Sequence, residues 1–365
     1  MTSARIPFAA PAPRDDADAV RAAIDRVVSS GWYILGPEVE AFEAEFANAC
    51  GAPHAVGVGN GTDALALIFR ALGIGAGDEV VTTPLSAAYT ALAVLMVGAR
   101  PVFADIDPKR LTIDADAVER VITSRTRALL PVHLYGQAAE MPSLERVAAR
   151  HNLAIVEDCC QAHLATAAGR PVGTIGVARA FSFYPTKNLG ALGDAGAVIT
   201  RDPALAERVR RLRNGGQTSR YNHEEAGGNS RLDELQAAIL RARMPLLGAW
   251  TTRRRALAAS YRTALTGTSI TVPPEFDPGH VYHLFAVQSG NRAALQEHLA
   301  RRGITTHVHY PIPIPRQPAF AESTAEPCPL AAAACDTLLS LPLYPGLDDA
   351  DLEQVARAIA EFQEA

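Results

Sequence analysis

Between Ala55 and Ile199 short apolar runs of strand length alternate with stretches of helical periodicity, and this alternation limits the fold more than any other feature. Ala55–Val58, Glu79–Thr83, Pro101–Ile106, Ala128–His133, Leu153–Glu157, Gly176–Ala180 and Ala195–Ile199 read as strands. Thr62–Leu72, Leu85–Val97, Ala115–Ile122 and Met141–His151 read as helices between them. Such an order builds an α/β fold on a doubly wound, mainly parallel sheet. Sheets of this kind bind ligands beyond the carboxyl ends of their strands.

Two residues stand at such ends. Leu153-Ala-Ile-Val-Glu157-Asp158 is an apolar run closed by two carboxylates, and Lys187 follows 29 positions after Asp158 in Phe181-Ser-Phe-Tyr-Pro-Thr-Lys187-Asn-Leu-Gly190. Taken alone, a lysine in such a loop reads as a surface charge. Paired with Asp158 it reads differently. A lysine that forms a Schiff base, with an aspartate facing a pyridinium nitrogen, is what pyridoxal phosphate requires. The turn Gly57-Val-Gly-Asn-Gly61 feeds the next helix and presents free N–H groups to an anion. It is a poor dinucleotide fingerprint, because its glycines are spaced Gly-x-Gly-x-Gly and the next strand ends in Thr-Thr-Pro.

Seven segments in order carry a family resemblance: Ser30–Pro37, Gly59-Asn-Gly-Thr-Asp-Ala-Leu65, Pro131-Val-His-Leu-Tyr-Gly-Gln137, Glu157-Asp-Cys-Cys-Gln-Ala-His163, Phe181–Gly190, Asn229-Ser-Arg-Leu-Asp-Glu-Leu-Gln236 and His309-Tyr-Pro311. Together they resemble the DegT/StrS family of nucleotide-sugar aminotransferases, which share the fold type I architecture of aspartate aminotransferase. The resemblance implies a large domain, residues 1–244, that binds pyridoxal 5'-phosphate and a small C-terminal α+β domain, residues 245–365. It makes Lys187 the Schiff-base lysine and general base, and Asp158 the partner of the ring nitrogen. Gly61, Thr62 and Ser182 become phosphate contacts, and Gln161 meets the phenolic oxygen. Asn229 reaches the phosphate of a neighbouring subunit's cofactor, which implies a homodimer with shared active sites. His309 and Tyr310 match a substrate-side motif; Tyr184 and His133 are further candidates for touching sugar.

The activity implied is transfer of an amino group from an amino acid, most often L-glutamate in this family, to a nucleoside-diphosphate keto sugar. The Pro-rich stretch His309–Gln317 looks more like members that act on a 3-keto sugar. A 4-keto-sugar or cyclitol aminotransferase is the alternative, and dTDP and UDP both stay open. Family dehydratases carry histidine in place of the lysine, and a non-catalytic regulatory homologue would lose Lys187 or Asp158; this chain keeps both. One departure stands out. The family places an aromatic ring over the cofactor in the segment Pro84–Thr90, where this chain has Ala87, with Tyr89 the nearest ring.

The remaining features bound the reading. A net charge of −5 gives no general affinity for nucleic acid. No apolar run reaches membrane-spanning length, and the first residues lack the apolar core of a signal peptide, so a cytoplasmic protein is expected. Cys50, Cys159, Cys160, Cys328 and Cys335 include no Cys-x-x-Cys pair and read as free thiols. His307 and His309 share a strand-like spacing, but no carboxylate or cysteine completes a metal set beside them, and no metal is expected. Arg253-Arg-Arg255 and the arginines of 208–213 read as solvated helix faces, with contact to a diphosphate as the alternative. Beyond residue 200, Pro203–Arg213, Leu232–Met244, Trp250–Leu265, Arg292–Arg302, Ala331–Leu338 and Asp349–Glu364 read as helices. Val281–Val287 and Thr305–Val308 read as strands, and Tyr221–Asn229 and Pro311–Pro318 as loops.

Overall fold

A computed structural model describes residues 5–12, 14–323 and 327–362. Seven strands form the central sheet: β1 (His54–Val58), β2 (Glu79–Thr82), β3 (Arg100–Phe103), β4 (Thr126–Leu130), β5 (Ala154–Asp158), β6 (Ala178–Ser182) and β7 (Gly196–Thr200). Their spatial order is β1-β7-β6-β5-β4-β2-β3. All neighbours run parallel except β7, which is antiparallel to both β1 and β6. The expected doubly wound, mainly parallel sheet is the observed one.

Period-2 alternation distributes the strands' side chains between two faces. On β6, Ala178 and Ala180 join a core with Leu65, Ile68 and Phe69 of α3 (Gly61–Ala71). Phe181 and, just past the strand, Phe183 join Phe42 and Phe46 on the other side. The rings of Phe46 and Phe181 meet edge to face with centroids 5.1 Å apart. Helix starts follow local capping chemistry. Asn60 caps α3 by accepting from the Asp63 N–H at 2.8 Å, and Glu140 caps Met141–His151 by accepting from Ser143 N–H at 2.9 Å.

A further core gathers Leu257 and Tyr261 of the helix Leu247–Ala264 with Leu295, Leu299, Val355 and Ile359. The antiparallel strands Phe285–Gln288 and Leu338–Leu341 lie within it, and Ile6 joins it through a bridge to Ile304. This core is stitched to the sheet beside Lys187: Val281 N–H donates to Gly136 O at 3.0 Å, His283 N–H to Tyr135 O at 2.8 Å, and Asn188 Nδ2 to Val281 O at 2.9 Å. That stitch explains why the expected strand Val281–Val287 begins only at Phe285. Thr305–Val308 makes a single bridge, His307 with Ser340, rather than a strand. The expected helix Leu85–Val97 shortens to Tyr89–Met96, because Thr83 Oγ1 accepts from Leu85 N–H at 3.2 Å and Pro84 O accepts from Ile314 N–H at 2.9 Å. The last helix ends at Ala360, and the expected end at Glu364 lies outside the described residues.

The arginine runs are not simple solvated faces. Arg254 is buried and donates to the carbonyls of Tyr282 and Leu343 at 3.1 and 2.9 Å, and Arg255 donates to His280 O at 2.9 Å. Arg213 pairs with Glu43 and donates to Gly57 O at 2.6 Å. Saturating backbone carbonyls in this way makes a buried cation tolerable.

Glu157, one residue before Asp158, is fully buried. Its carboxylate accepts from the N–H groups of Gly173, Ile175 and Gly176 at 2.6, 3.1 and 2.7 Å and meets His133 Nε2 at 3.0 Å. Burial pushes its pKa up, but the His133 contact and these amides outweigh burial and hold it below the usual glutamate value. A lowered folded pKa adds stability that is complete above about pH 4.5, the unfolded value, and fades as pH falls through the lowered one. Glu157→Gln is expected to cost about 1–3 kcal/mol at neutral pH, the range for leaving buried hydrogen-bond donors without their acceptor. The gap between the two proteins' melting temperatures should narrow below pH 4.5; a constant gap from pH 7 to pH 3 would show that Glu157's charge contributes nothing.

Candidate active site

The carboxyl ends of β5 and β6 lie side by side, with Asp158 in register with Ala180. Adjacency in the sheet therefore brings Asp158 and the Lys187 loop together. Asp158 is 4% exposed, and both of its oxygens are engaged: Oδ2 accepts from the Thr90 hydroxyl at 2.8 Å and Oδ1 from Cys160 N–H at 3.1 Å. Lys187 lies five residues past the end of β6 (187 − 182), in a turn closed by its own N–H to Tyr184 O at 2.8 Å. Burial lowers the pKa of its amine, opposed by the Cys160 thiol and the Asp158 carboxylate.

Against this pair stands the N-terminus of α3. First-turn amides of a helix have no intrahelical acceptor. Asn60 takes that of Asp63, which leaves those of Gly61 and Thr62. Gly61 is required for close approach: a Cβ there would sit 2.7 Å from Cys160 Sγ and 2.8 Å from Ser182 Cβ. Gly61 thus packs closely against both Ser182 and Cys160 at one end of the site. His163, fully buried, fixes that corner through Nε2 to Ser182 O at 2.9 Å, and burial lowers its pKa to about 3, so it is neutral.

Gln161 links the other end. Its Oε1 accepts from Tyr135 N–H at 2.7 Å, and its Nε2 donates to the Tyr310 hydroxyl at 3.0 Å. One N–H of the amide is left over. The Tyr135 hydroxyl donates to His309 O. His309 Nδ1 meets Ser340 Oγ at 3.0 Å. Burial lowers the His309 pKa to about 4 and raises that of Tyr310 to about 12. Both groups are therefore neutral throughout the physiological range.

The remaining expectations divide. Tyr184 is on the Lys187 loop and 52% exposed. Asn229 is exposed, but its neighbour Ser230 ties the α3 turn together, accepting from Gly59 N–H at 3.0 Å and donating to Asp63 Oδ2 at 2.7 Å. His133 cannot touch sugar: it is fully buried, with Nε2 on Glu157 and Nδ1 accepting from Ala139 N–H at 3.1 Å. Ala87 brings no ring to the site, and Tyr89 is 65% exposed. His133, Glu157 and Cys159 cluster within 4.8 Å, but the imidazole and the carboxylate are already saturated by protein partners.

Thr90, Tyr135 and Cys160 belong to the site without having been singled out in the sequence. Ser86 and Thr90 carried a signal, two hydroxyls at i, i+4 in an apolar stretch. Tyr135 carried none, because its role depends on a left-handed backbone with φ of 59°.

Residues 14–360 match the family described as the DegT/DnrJ/EryC1/StrS aminotransferase family. The chain is 50% identical over 349 residues to dTDP-3-amino-3,4,6-trideoxy-alpha-D-glucose transaminase of Streptomyces venezuelae, covering 94% of this chain and 92% of that protein. The crystal structure of S. venezuelae DesV in complex with a ketimine intermediate superposes with a TM-score of 0.95 at 48% identity, covering 99% of this chain and 100% of that one. The structure of ntda from Bacillus subtilis with bound cofactor PMP gives a TM-score of 0.91 at 30% identity, covering 98% and 85%.

Proposed function

Because the chain belongs to the DegT/DnrJ/EryC1/StrS aminotransferase family, we propose that its site transfers an amino group from L-glutamate to the 3-keto carbon of a nucleoside-diphosphate sugar. The protein is a sugar aminotransferase dependent on pyridoxal 5'-phosphate, acting in amino-sugar biosynthesis. The observation that carries the reading is the half-buried Lys187, its amine held down in pKa, beside the buried Asp158 carboxylate at the strand ends where the Gly61 helix begins.

The residues present fit the cofactor. Gly61, Thr62 and Ser182 would hold its phosphate, Asp158 its ring nitrogen, Gln161 its phenolic oxygen and Lys187 its aldehyde carbon. When bound, pyridoxal phosphate supplies a carbonyl that condenses with amines and a ring that accepts the electron pair left when a C–H proton departs. The protein supplies the rest. Burial keeps Lys187 prone to the neutral form, the form that attacks carbon and takes up a proton. Its amine would carry that proton between the donor's α-carbon and the cofactor's aldehyde carbon. Asp158 would keep a proton on the ring nitrogen by opposite charge. The left-over Gln161 N–H and the neutral Tyr310 hydroxyl are hydrogen-bond donors, and His309 stays uncharged beside them. In the complete cycle one water supplies the keto oxygen of the 2-oxo acid that glutamate becomes, and the sugar's keto oxygen leaves as another, so no net water is consumed or released.

The test is an assay of the purified protein against 3-keto and 4-keto sugars carried on dTDP and on UDP. Turnover of a 3-keto substrate with bleaching of the yellow protein by glutamate is expected. Turnover confined to 4-keto substrates would overturn the choice of carbon.

The same proposal includes the division into domains 1–244 and 245–365, a cytoplasmic location and a homodimer. Among the described residues no helix is long and apolar enough to cross a membrane. Trp32 and Tyr33, 57% and 48% exposed, leave apolar surface for a second copy to cover. In that dimer the exposed Asn229 reaches the neighbour's phosphate. Asn229→Ala is expected to weaken cofactor affinity by about 1.5–3 kcal/mol, the range for a hydrogen bond to a charged group. A mixed dimer of Lys187→Ala and Asn229→Ala subunits puts both defects in one site. It should recover near half of wild-type activity at limiting cofactor, where neither parent does. Mixed dimers no better than the parents would make Asn229 a local residue.

A further inference from the structure

The segment in which the family places a covering ring does something else in this chain. Ser86 and Thr90, both 3% exposed, stand one helical turn apart with their hydroxyl oxygens 3.2 Å apart. Thr90 donates its proton to Asp158 Oδ2 at 2.8 Å, so Ser86 must be the donor to Thr90. We propose that Ser86 and Thr90 form a hydroxyl relay that positions and polarises the Asp158 carboxylate, and so decides how firmly the cofactor's ring nitrogen keeps its proton. The inference rests on the cofactor reading given above.

The physical argument concerns a proton shared between two bases. A carboxylate and a pyridine nitrogen facing each other hold one proton, and the weaker the carboxylate as a base, the more the proton stays on nitrogen. Hydrogen bonds to a carboxylate favour its ionised form. Chained donors strengthen each other, so the Ser86 hydroxyl sharpens the donation from Thr90. Cys160 N–H occupies the other oxygen at 3.1 Å, so the carboxylate is held from both sides and its plane is fixed. The relay is also shielded. Ser86 lies between Leu85, which is fully buried, and the half-buried Ala87, so water does not compete for the hydroxyls. With small side chains at Ala87 and Ala88, this stretch acts on the ring through its nitrogen rather than through its face.

Ser86 and Thr90 are positioning residues, because they act through Asp158. Thr90→Val keeps the shape and removes the donor. It is expected to lower kcat about 10- to 100-fold, the fold-change for losing a hydrogen bond to a charged group. The KM for the keto sugar should stay within about twofold, since no sugar contact is lost. The visible absorbance of the holoprotein should also change its pH dependence. Thr90→Ser should restore most of the rate, and Ser86→Ala should show a smaller loss in the same direction. Wild-type kcat and an unchanged spectral titration in Thr90→Val would overturn the relay. So would a Thr90→Ser variant as impaired as Thr90→Val, since shape rather than the hydroxyl would then matter. An inactive wild type would overturn the cofactor reading as well; an active wild type with an unaffected Thr90→Val overturns the relay alone.

Discussion

Lys187→Ala is expected to abolish transamination, with a loss of about four orders of magnitude or more. A positioned general base alone is worth about 10²–10⁴-fold, and in the proposed assignment this amine also makes the covalent bond to the cofactor, which no other group in the site could replace. The variant should still bind pyridoxal phosphate, because Gly61, Thr62, Ser182 and Asp158 remain. A second readout separates loss of chemistry from loss of fold. Burial lowers the Lys187 pKa, so the folded apoprotein resists the charged amine. That penalty is absent above the ordinary lysine value of 10.5 and is fully developed once pH falls below the lowered value. Apo Lys187→Ala should therefore melt at or above the wild-type temperature at pH 7. Steady-state turnover in this variant would sink the assignment of Lys187.

Asp158→Asn should lower kcat about 10²–10³-fold, the cost of removing one electrostatic contact to the charge that develops in the reaction. Its effect on cofactor affinity should be milder, within about tenfold, because an amide of the same shape still hydrogen-bonds with the ring nitrogen. The amide cannot balance a ring proton. The new NH₂ group would also confront Thr90, turning the hydroxyl from donor to acceptor and reversing the relay. Kinetics and equilibrium dialysis on one preparation separate the two effects. Wild-type kinetics would mean that another group sets the charge of the ring.

How much of this was legible in the sequence depends on what each feature rests on. β5 was visible because buried parallel strands are continuous apolar runs, whereas β6 carries Arg179 in its middle and was expected two residues early, at Gly176–Ala180. Asp158 and Lys187 were visible as a pair because a strand end and a loop after the next strand are neighbours by topology. Their chemistry is also specific to one cofactor. The relay to Asp158 was not legible, because it depends on where Tyr89–Met96 begins. That helix was expected to begin at Leu85, and the four-residue delay is set by Thr83 and by a distant amide, that of Ile314. His133 was misread for a related reason. Its place in the Pro131–Gln137 motif suggested contact with substrate, but its partner, Glu157, holds it under the sheet. Spacing along the chain does not say which side of a strand end a side chain takes once the strand has stopped.

Because β5 and β6 pair directly, the far part of the polypeptide joining them, beyond Cys160, Gln161 and His163, is not what holds the active site together. Their register is fixed from Val156–Asp158 against Ala178–Ala180. The path between them leaves the sheet through the short pair Thr166–Ala167 and Arg170–Pro171, whose turn at Ala168 and Gly169 is exposed. At Gly169 nothing lies within 4 Å of where a side chain would begin. Covalent continuity is dispensable at such a loop tip, since exposed turns tolerate nicks and inserted domains. For protein engineering, the Gly169 turn is a port: a reporter spliced in there, or a split into two complementing fragments, would leave the aspartate and the lysine facing each other.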